Sequence, residues 1–311
     1  MQNSTNITSS AMNYTQLFDN ILKKRSFLCV GLDPVLEKMP ESCRTQEHPL
    51  FHFNKAIIDA TAPYAVAYKP NCAFYEAYGT AGWEQFEQTV RYIKENYPDI
   101  LVIADAKRGD IGNTAKMYAK AFYENLPCDA VTLAPYMGSD SITPFLQYEE
   151  KWAIVLAMTS NASAEEYETL QLCTSTAEPH QASASAATEP EPHNASSSAQ
   201  PLFERIIRNS MSLAGRDNLM FVVGATRPQK LKEIRAFCPD NFLLVPGVGA
   251  QGGTLPEVAA NGMNSHCGLL VNSSRGIIYA GKDENFAQAS AAEAAKIAKE
   301  MAAELVAHGL L

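Results

Sequence analysis

The chain is poor in the features that mark several protein classes. None of its seven cysteines (Cys29, Cys43, Cys72, Cys128, Cys173, Cys238 and Cys267) stands in a C-x-x-C pair, and several lie in apolar, strand-like runs, so they read as reduced core residues. No run of about 18 apolar residues occurs, and no membrane span is expected. The start, Met1 to Asn13, is polar and lacks the basic and apolar regions of a secretory signal, which predicts a cytoplasmic protein. In that compartment the sequons at Asn6 and Asn161 are chance matches. Positive charge is also short: 25 Lys and Arg against 34 Asp and Glu give a net charge of −9, which argues against a nucleic-acid surface. A local basic pocket for a phosphorylated small molecule stays compatible with that balance. The glycine-rich dinucleotide fingerprint is missing as well, since the first apolar run ends in Gly31-Leu32-Asp33-Pro34.

What is present points to an α/β fold. With 311 residues, 46% of them hydrophobic, the chain can bury a full core. Eight short apolar runs recur at Phe27 to Leu32, Ala65 to Tyr68, Ile100 to Ala104, Ala130 to Ala134, Ala153 to Ala157, Leu219 to Val223, Phe242 to Val245 and Cys267 to Val271. Amphipathic stretches such as Trp83 to Asn96, Leu202 to Leu213, Pro228 to Phe237 and Phe286 to Leu305 separate or follow them. Eight strand–helix units predict a closed (β/α)8 TIM barrel, a single domain over residues 1–311, in preference to an open doubly wound sheet. A polar tail over about 1–13 stands outside it. From about 173 to 200 the chain is Ser, Ala, Thr, Pro and Glu with almost no large apolar side chain, which predicts a mobile insertion after the fifth strand, either part of a lid or an unselected loop.

In such a barrel the loops that follow the strands form the active face. Asp33 follows the first strand, Lys69 and Asn71 the second, Asp105 and Lys107 the third, and Thr159, Ser160 and Asn161 the fifth. Side chains in a strand repeat every second residue, so Asp105 and Lys107 are expected on one face, with Asp110 at the start of the next helix. A solvated turn and helix cap is the bland alternative for Asp-x-Lys-x-x-Asp alone. Four alternating charges at adjacent strand ends are costly to assemble without use, because each needs a partner once water is excluded. A lysine held between carboxylates keeps its proton and can donate it.

The last two strand ends carry different chemistry. Pro246-Gly247-Val248-Gly249-Ala250-Gln251-Gly252-Gly253 offers unshielded backbone N–H groups, and Asn272-Ser273-Ser274-Arg275-Gly276 adds a guanidinium beside another glycine. Loops after strands seven and eight are the usual phosphate site of this barrel, and arginine grips phosphate with two prongs.

These motifs resemble the orotidine 5'-phosphate decarboxylase family from about Phe27 to Gly281, with a chain length and a Lys69-Pro70-Asn71 segment similar to its longer, mainly bacterial subgroup. Asp105-x-Lys107-x-x-Asp110-Ile111-x-x-Thr114 looks like the catalytic signature. The resemblance implies conversion of orotidine 5'-monophosphate to UMP and carbon dioxide, the last step of de novo pyrimidine synthesis, with no metal or organic cofactor. It implies that Lys107 protonates C6, that Asp105 faces the departing carboxylate, and that Lys69 links Asp33 and Asp105. Asp33 and Lys69 would hold ribose hydroxyls, with Asn71 counted among the substrate-binding residues. Ser160 would read the pyrimidine, while Gln251, Arg275 and Gly276 would hold the phosphate. A homodimer is implied, with Asp110 and Thr114 entering the neighbour's site.

The chain departs from the family pattern in two places. Ser274 replaces a common glycine before the arginine, and no Pro-Gly follows Ser160. Two rival readings are a Mg²⁺-dependent sugar-phosphate decarboxylase or aldolase of the same superfamily, and a non-catalytic phosphate-binding barrel. Lys69 would repel a metal where the Mg²⁺ relatives place a glutamate.

Overall fold

The computed structural model describes residues 12–173, 199–249 and 252–311. Their strands run in chain order as β1 (Leu28–Leu32), β2 (Ala65–Pro70), β3 (Leu101–Arg108), β4 (Ala130–Leu133), β5 (Trp152–Met158), β6 (Gln171–Cys173), β7 (Ala199–Pro201), β8 (Leu219–Val223), β9 (Leu243–Pro246) and β10 (Leu269–Ser273). Eight of them close a parallel barrel in the order β1-β10-β9-β8-β5-β4-β3-β2, while β6 and β7 form a separate antiparallel pair. Strands buried on both faces need apolar residues at every position, which is why β1, β4 and β8 are uninterrupted buried runs.

Helices cover the outside. The final one, Phe286–Ala307, buries Phe286, Ser290, Ala294, Ala298, Met301 and Leu305, a three-to-four-residue spacing that turns one stripe to the barrel. It packs against the helix Pro49–Thr61 and stacks Phe286 on Phe53 at 5.2 Å between ring centroids.

Met12 and Asn13, the end of the expected polar tail, are part of the packed structure; residues 1–11 fall outside the described residues. Asn13 caps the helix Tyr14–Lys24 through a reciprocal pair with Gln16, and the buried Trp152 donates its indole N–H to the Met12 carbonyl at 2.8 Å. Tyr14 lies 5.0 Å from Phe242, so this segment plugs the barrel at the end opposite the site. Of the predicted insertion, Cys173, Ala199 and Gln200 lie in the β6–β7 pair; residues 174–198 fall outside the described residues. All six cysteines with described side chains are free and buried. Among the described residues no helix is long and apolar enough to cross a membrane.

Candidate active site

β3 carries the centre of the site, and it does so by breaking its own regularity. Ile103 and Ala104 pair with Ala130 and Val131, but the next pair is Arg108 with Leu133, so β3 bulges over the intervening residues. Within the bulge Lys107 takes a φ of 47°, a left-handed conformation rare for a residue with a side chain. Its backbone N–H is caught by Thr132 Oγ1 at 3.0 Å. Simple alternation is therefore not what brings Asp105 and Lys107 together. The bulge turns Lys107 back so that Nζ meets Asp105 Oδ1 at 2.6 Å.

Asp105 is the hub. Its Oδ1 also accepts from Thr132 Oγ1 at 3.0 Å, and its Oδ2 accepts from Lys69 Nζ at 2.7 Å. Burial alone would raise its pKa; the ammonium groups of Lys69 and Lys107, both hydrogen-bonded to it, hold the carboxyl well below the usual carboxylate range. Burial likewise works to discharge Lys69, yet Asp105 and then Asp33 keep it above the ordinary lysine range. The Lys69 and Asp105 side chains are only 8% and 9% exposed, whereas Lys107 is 49% exposed at its open end. The inner pair is locked in its charged form, and the outer lysine faces a cavity. Cys29 lies close to this pair, but burial pushes its thiol up to about 12, so it is no nucleophile.

The cavity has a volume of about 370 Å³. Lys69, Asp105 and Lys107, with the neutral Thr132 beside them, form its charged side, Leu156, Val222 and Leu244 an apolar wall, and Thr159, Ser160 and Asn161 a polar rim. Ser160 sits where it does because Gly224 has no side chain: a Cβ there would come within 2.8 Å of the Ser160 backbone. Glu168 steadies the same rim by accepting from both the Thr159 N–H and the Thr159 hydroxyl, each at 2.7 Å.

Pro246 also borders a second cavity of about 740 Å³, into which Asp33, the glycines 247, 249, 252 and 253, Ser274, Arg275 and Gly276 face. Gly247, Gly249 and Gly252 have φ between 77° and 99°, conformations open to glycine at no steric cost. Among the described residues no protein group bonds the Arg275 guanidinium. Asp33 is half-buried; its Oδ2 accepts from Ser274 Oγ at 2.5 Å, and its Oδ1 is buried without a partner.

Not every expected site residue lines the two cavities of this chain. Lys69 bonds Asp105 and reaches Asp33 only through space, so it does not bridge the two by hydrogen bonds. Asn71 turns from the cavity and accepts from the Ala73 N–H at 3.2 Å. Asp110 accepts from the Ile111 N–H beside the helix Gly112–Lys120, and Thr114 is exposed on it; neither borders the cavity of its own chain. Gln251 lies outside the described residues. Thr132 and Glu168 were not expected at all: a threonine within the run Ala130 to Ala134 reads as an ordinary strand residue, and nothing in the spacing ties Glu168 to Thr159.

Residues 26–290 match the model of the Orotidine 5'-phosphate decarboxylase / HUMPS family. The chain belongs to that family. It is 55% identical over 290 residues to a protein from Phocaeicola vulgatus named orotidine 5'-phosphate decarboxylase, covering 93% of this chain and 98% of that one. A protein of the same name from Bacteroides fragilis is 51% identical over 294 residues, covering 94% and 98%. Among solved structures, Leishmania donovani OMP decarboxylase superposes with a TM-score of 0.73 at 32% identity, covering 94% of this chain and 99% of that one. The decarboxylase relatives share the closed eight-stranded barrel that places the Asp105 cluster at its mouth.

Proposed function

We infer that this chain is an orotidine 5'-phosphate decarboxylase: it converts orotidine 5'-monophosphate to UMP and carbon dioxide in pyrimidine biosynthesis. The observation that carries the reading is the Lys69–Asp105–Lys107 row on the floor of a pocket whose other side is apolar and whose neighbour is lined by glycines and Arg275.

Loss of carbon dioxide from C6 leaves an electron pair with little resonance relief, so the site must set positive charge beside that carbon and then supply a proton. Lys107 is the group we assign to both tasks, since its ammonium is fixed by Asp105 yet open to the cavity. Asp105 stays ionised and so takes no part as an acid; it holds Lys107 and faces the departing carboxylate. Lys69 keeps Asp105 charged. Leu156, Val222 and Leu244 pack on the pyrimidine and exclude water, which strengthens the charge interactions.

The second pocket receives the rest of the nucleotide in this reading. Arg275, Gly276 and the glycine-rich loop take the phosphate, Asp33 Oδ1 accepts from a ribose hydroxyl, and Ser160 reads the ring. Binding energy gained at the phosphate organises the charges at C6. This chemistry calls for no metal or organic cofactor, and the acidic surface and small cavities suit a metabolite of the cytoplasm.

We propose further that the protein is a homodimer with shared sites. Ile111, Met117, Tyr136 and Met137 are exposed large apolar side chains, Tyr136 to 93%; Ile111 and Met117 flank Asp110 and Thr114 along the chain, and Tyr136 and Met137 lie in the loop after β4. A second copy covering this patch would carry those two residues to a neighbour's cavity.

The deciding experiment is the loss of orotidine 5'-monophosphate absorbance on adding purified protein, with and without EDTA. Fast loss in both arms is expected; no loss, or loss stopped by EDTA, would overturn the metal-free decarboxylase.

A further inference from the structure

Ser274 replaces the glycine common before the phosphate-binding arginine, and its hydroxyl is fully engaged. It lies 2.5 Å from Asp33 Oδ2 and 3.2 Å from the Gly31 carbonyl. A serine hydroxyl has one proton to give, and the shorter, charge-assisted bond to the carboxylate takes it. The contact is built from both strands that close the barrel. Val30 is paired with Ser273, so Gly31 and Ser274 stand opposite one another, one residue further along. A Cβ at Gly31 would lie 2.7 Å from Ser274 Cβ, so only glycine leaves room for this side chain.

The consequence for Asp33 is an asymmetric carboxylate. Oδ2 is taken, while Oδ1 is buried without a partner, an unsatisfied acceptor on a residue that lines the pocket. Ser274 is also tied to the arginine. Its own carbonyl accepts from the N–H groups of Ile277 and Ile278, which starts the turn Arg275–Ile278. From the far end of that turn Tyr279 donates its hydroxyl to the Asp33 carbonyl at 3.0 Å. Asp33 is thus held at its side chain by the residue before Arg275 and at its backbone by the residue after Ile278.

We propose that Ser274 is a positioning residue that couples ribose recognition to phosphate recognition, by fixing Asp33 Oδ2 and leaving Oδ1 for a ribose hydroxyl. This rests on the assignment of Asp33 to the ribose and Arg275 to the phosphate. When phosphate orders Arg275 and its turn, the same segment sets the carboxylate; when the link is cut, Asp33 is free to rotate and accepts less well.

The test measures dissociation constants for UMP and for its 2'-deoxy and 3'-deoxy forms, together with KM and kcat for orotidine 5'-monophosphate, in wild type, Ser274→Ala, Ser274→Thr and Asp33→Asn. In wild type one of the deoxy forms binds more weakly, and Asp33→Asn erases that penalty. Ser274→Ala is expected to lower the penalty several-fold and to reduce kcat/KM about tenfold, with Ser274→Thr restoring both. A penalty unchanged in Ser274→Ala while Asp33→Asn erases it would overturn the positioning role alone. A penalty unchanged in Asp33→Asn would overturn the ribose assignment, and the coupling with it.

Discussion

Thr132 grips Lys107 and Asp105 at once: its hydroxyl accepts the Lys107 backbone N–H and donates to Asp105 Oδ1, both at 3.0 Å. One small side chain from β4 thereby stabilises a left-handed residue in β3 and orients the carboxylate that holds the same lysine's ammonium. Thr132→Val keeps the shape and removes both bonds, so kcat should fall about tenfold while the UMP dissociation constant stays within about twofold. Lys107→Ala is the limiting case, expected to lower kcat by more than about a thousandfold with UMP binding still measurable. Steady-state kinetics beside calorimetric titration separates the two effects, and near-normal turnover of Lys107→Ala would remove the proton-donor role.

Arg275 has no protein partner among the described residues and faces the glycine-lined cavity. Arg275→Ala should weaken UMP binding about a hundredfold, since a guanidinium–phosphate contact is charge-assisted and two-pronged, and should leave uridine binding unchanged. Equal effects on nucleotide and nucleoside would show that the arginine acts elsewhere.

Glu168 holds Thr159 by two 2.7 Å contacts, and its own carbonyl accepts from Phe203 N–H at the head of the helix Leu202–Met211. Glu168→Gln replaces one acceptor with a donor, so the rim that includes Ser160 should loosen. A rise in KM of about fivefold with a smaller change in kcat is expected. An unchanged KM would mean that the rim is held without Glu168.

The Asp105 cluster gives the protein a defined acid limit. The folded pKa of Asp105 is depressed, so its contribution to stability is present above the unfolded value of about 3.9 and is lost as pH falls through the lower folded value. Lys69→Met removes one of the two cations and lets burial raise that folded pKa. Urea midpoints measured from pH 7 down to pH 3 should therefore begin to drop at a higher pH in the variant than in wild type. Parallel curves would show that Lys69 does not set the charge state of Asp105.

Shared sites would make two dead proteins rescue one another. Lys107→Ala and Asp110→Ala fail separately, but a mixed dimer joins an intact Lys107 of one chain to an intact Asp110 of the other. Random reassortment of equal amounts should restore about a quarter of wild-type activity, because half the dimers are mixed and each has one good site. No recovery, with exchange of subunits verified by sedimentation or native mass spectrometry, would place Asp110 within its own chain's site.

The sequence by itself determined the barrel. A strand buried on both faces has to be a run of apolar residues, so all eight strands were legible to within a few residues; β3, read as ending at Ala104, overruns furthest, to Arg108, because charged side chains disguise a strand that ends in a bulge. Asp33, Lys69, Asp105, Lys107 and Arg275 were legible for the converse reason, as charges that follow apolar runs. Tertiary structure decided how they pair. The bulge, rather than strand alternation, joins Lys107 to Asp105; Ser274, rather than Lys69, bonds Asp33; and Asn71 turns away to its own backbone. Thr132 and Glu168 become visible only when β4 lies beside β3 and when the chain after β5 folds back on its own rim. Hydrogen-bond partners depend on distances of a few tenths of an ångström between segments far apart in the chain, and local pattern carries no record of those distances.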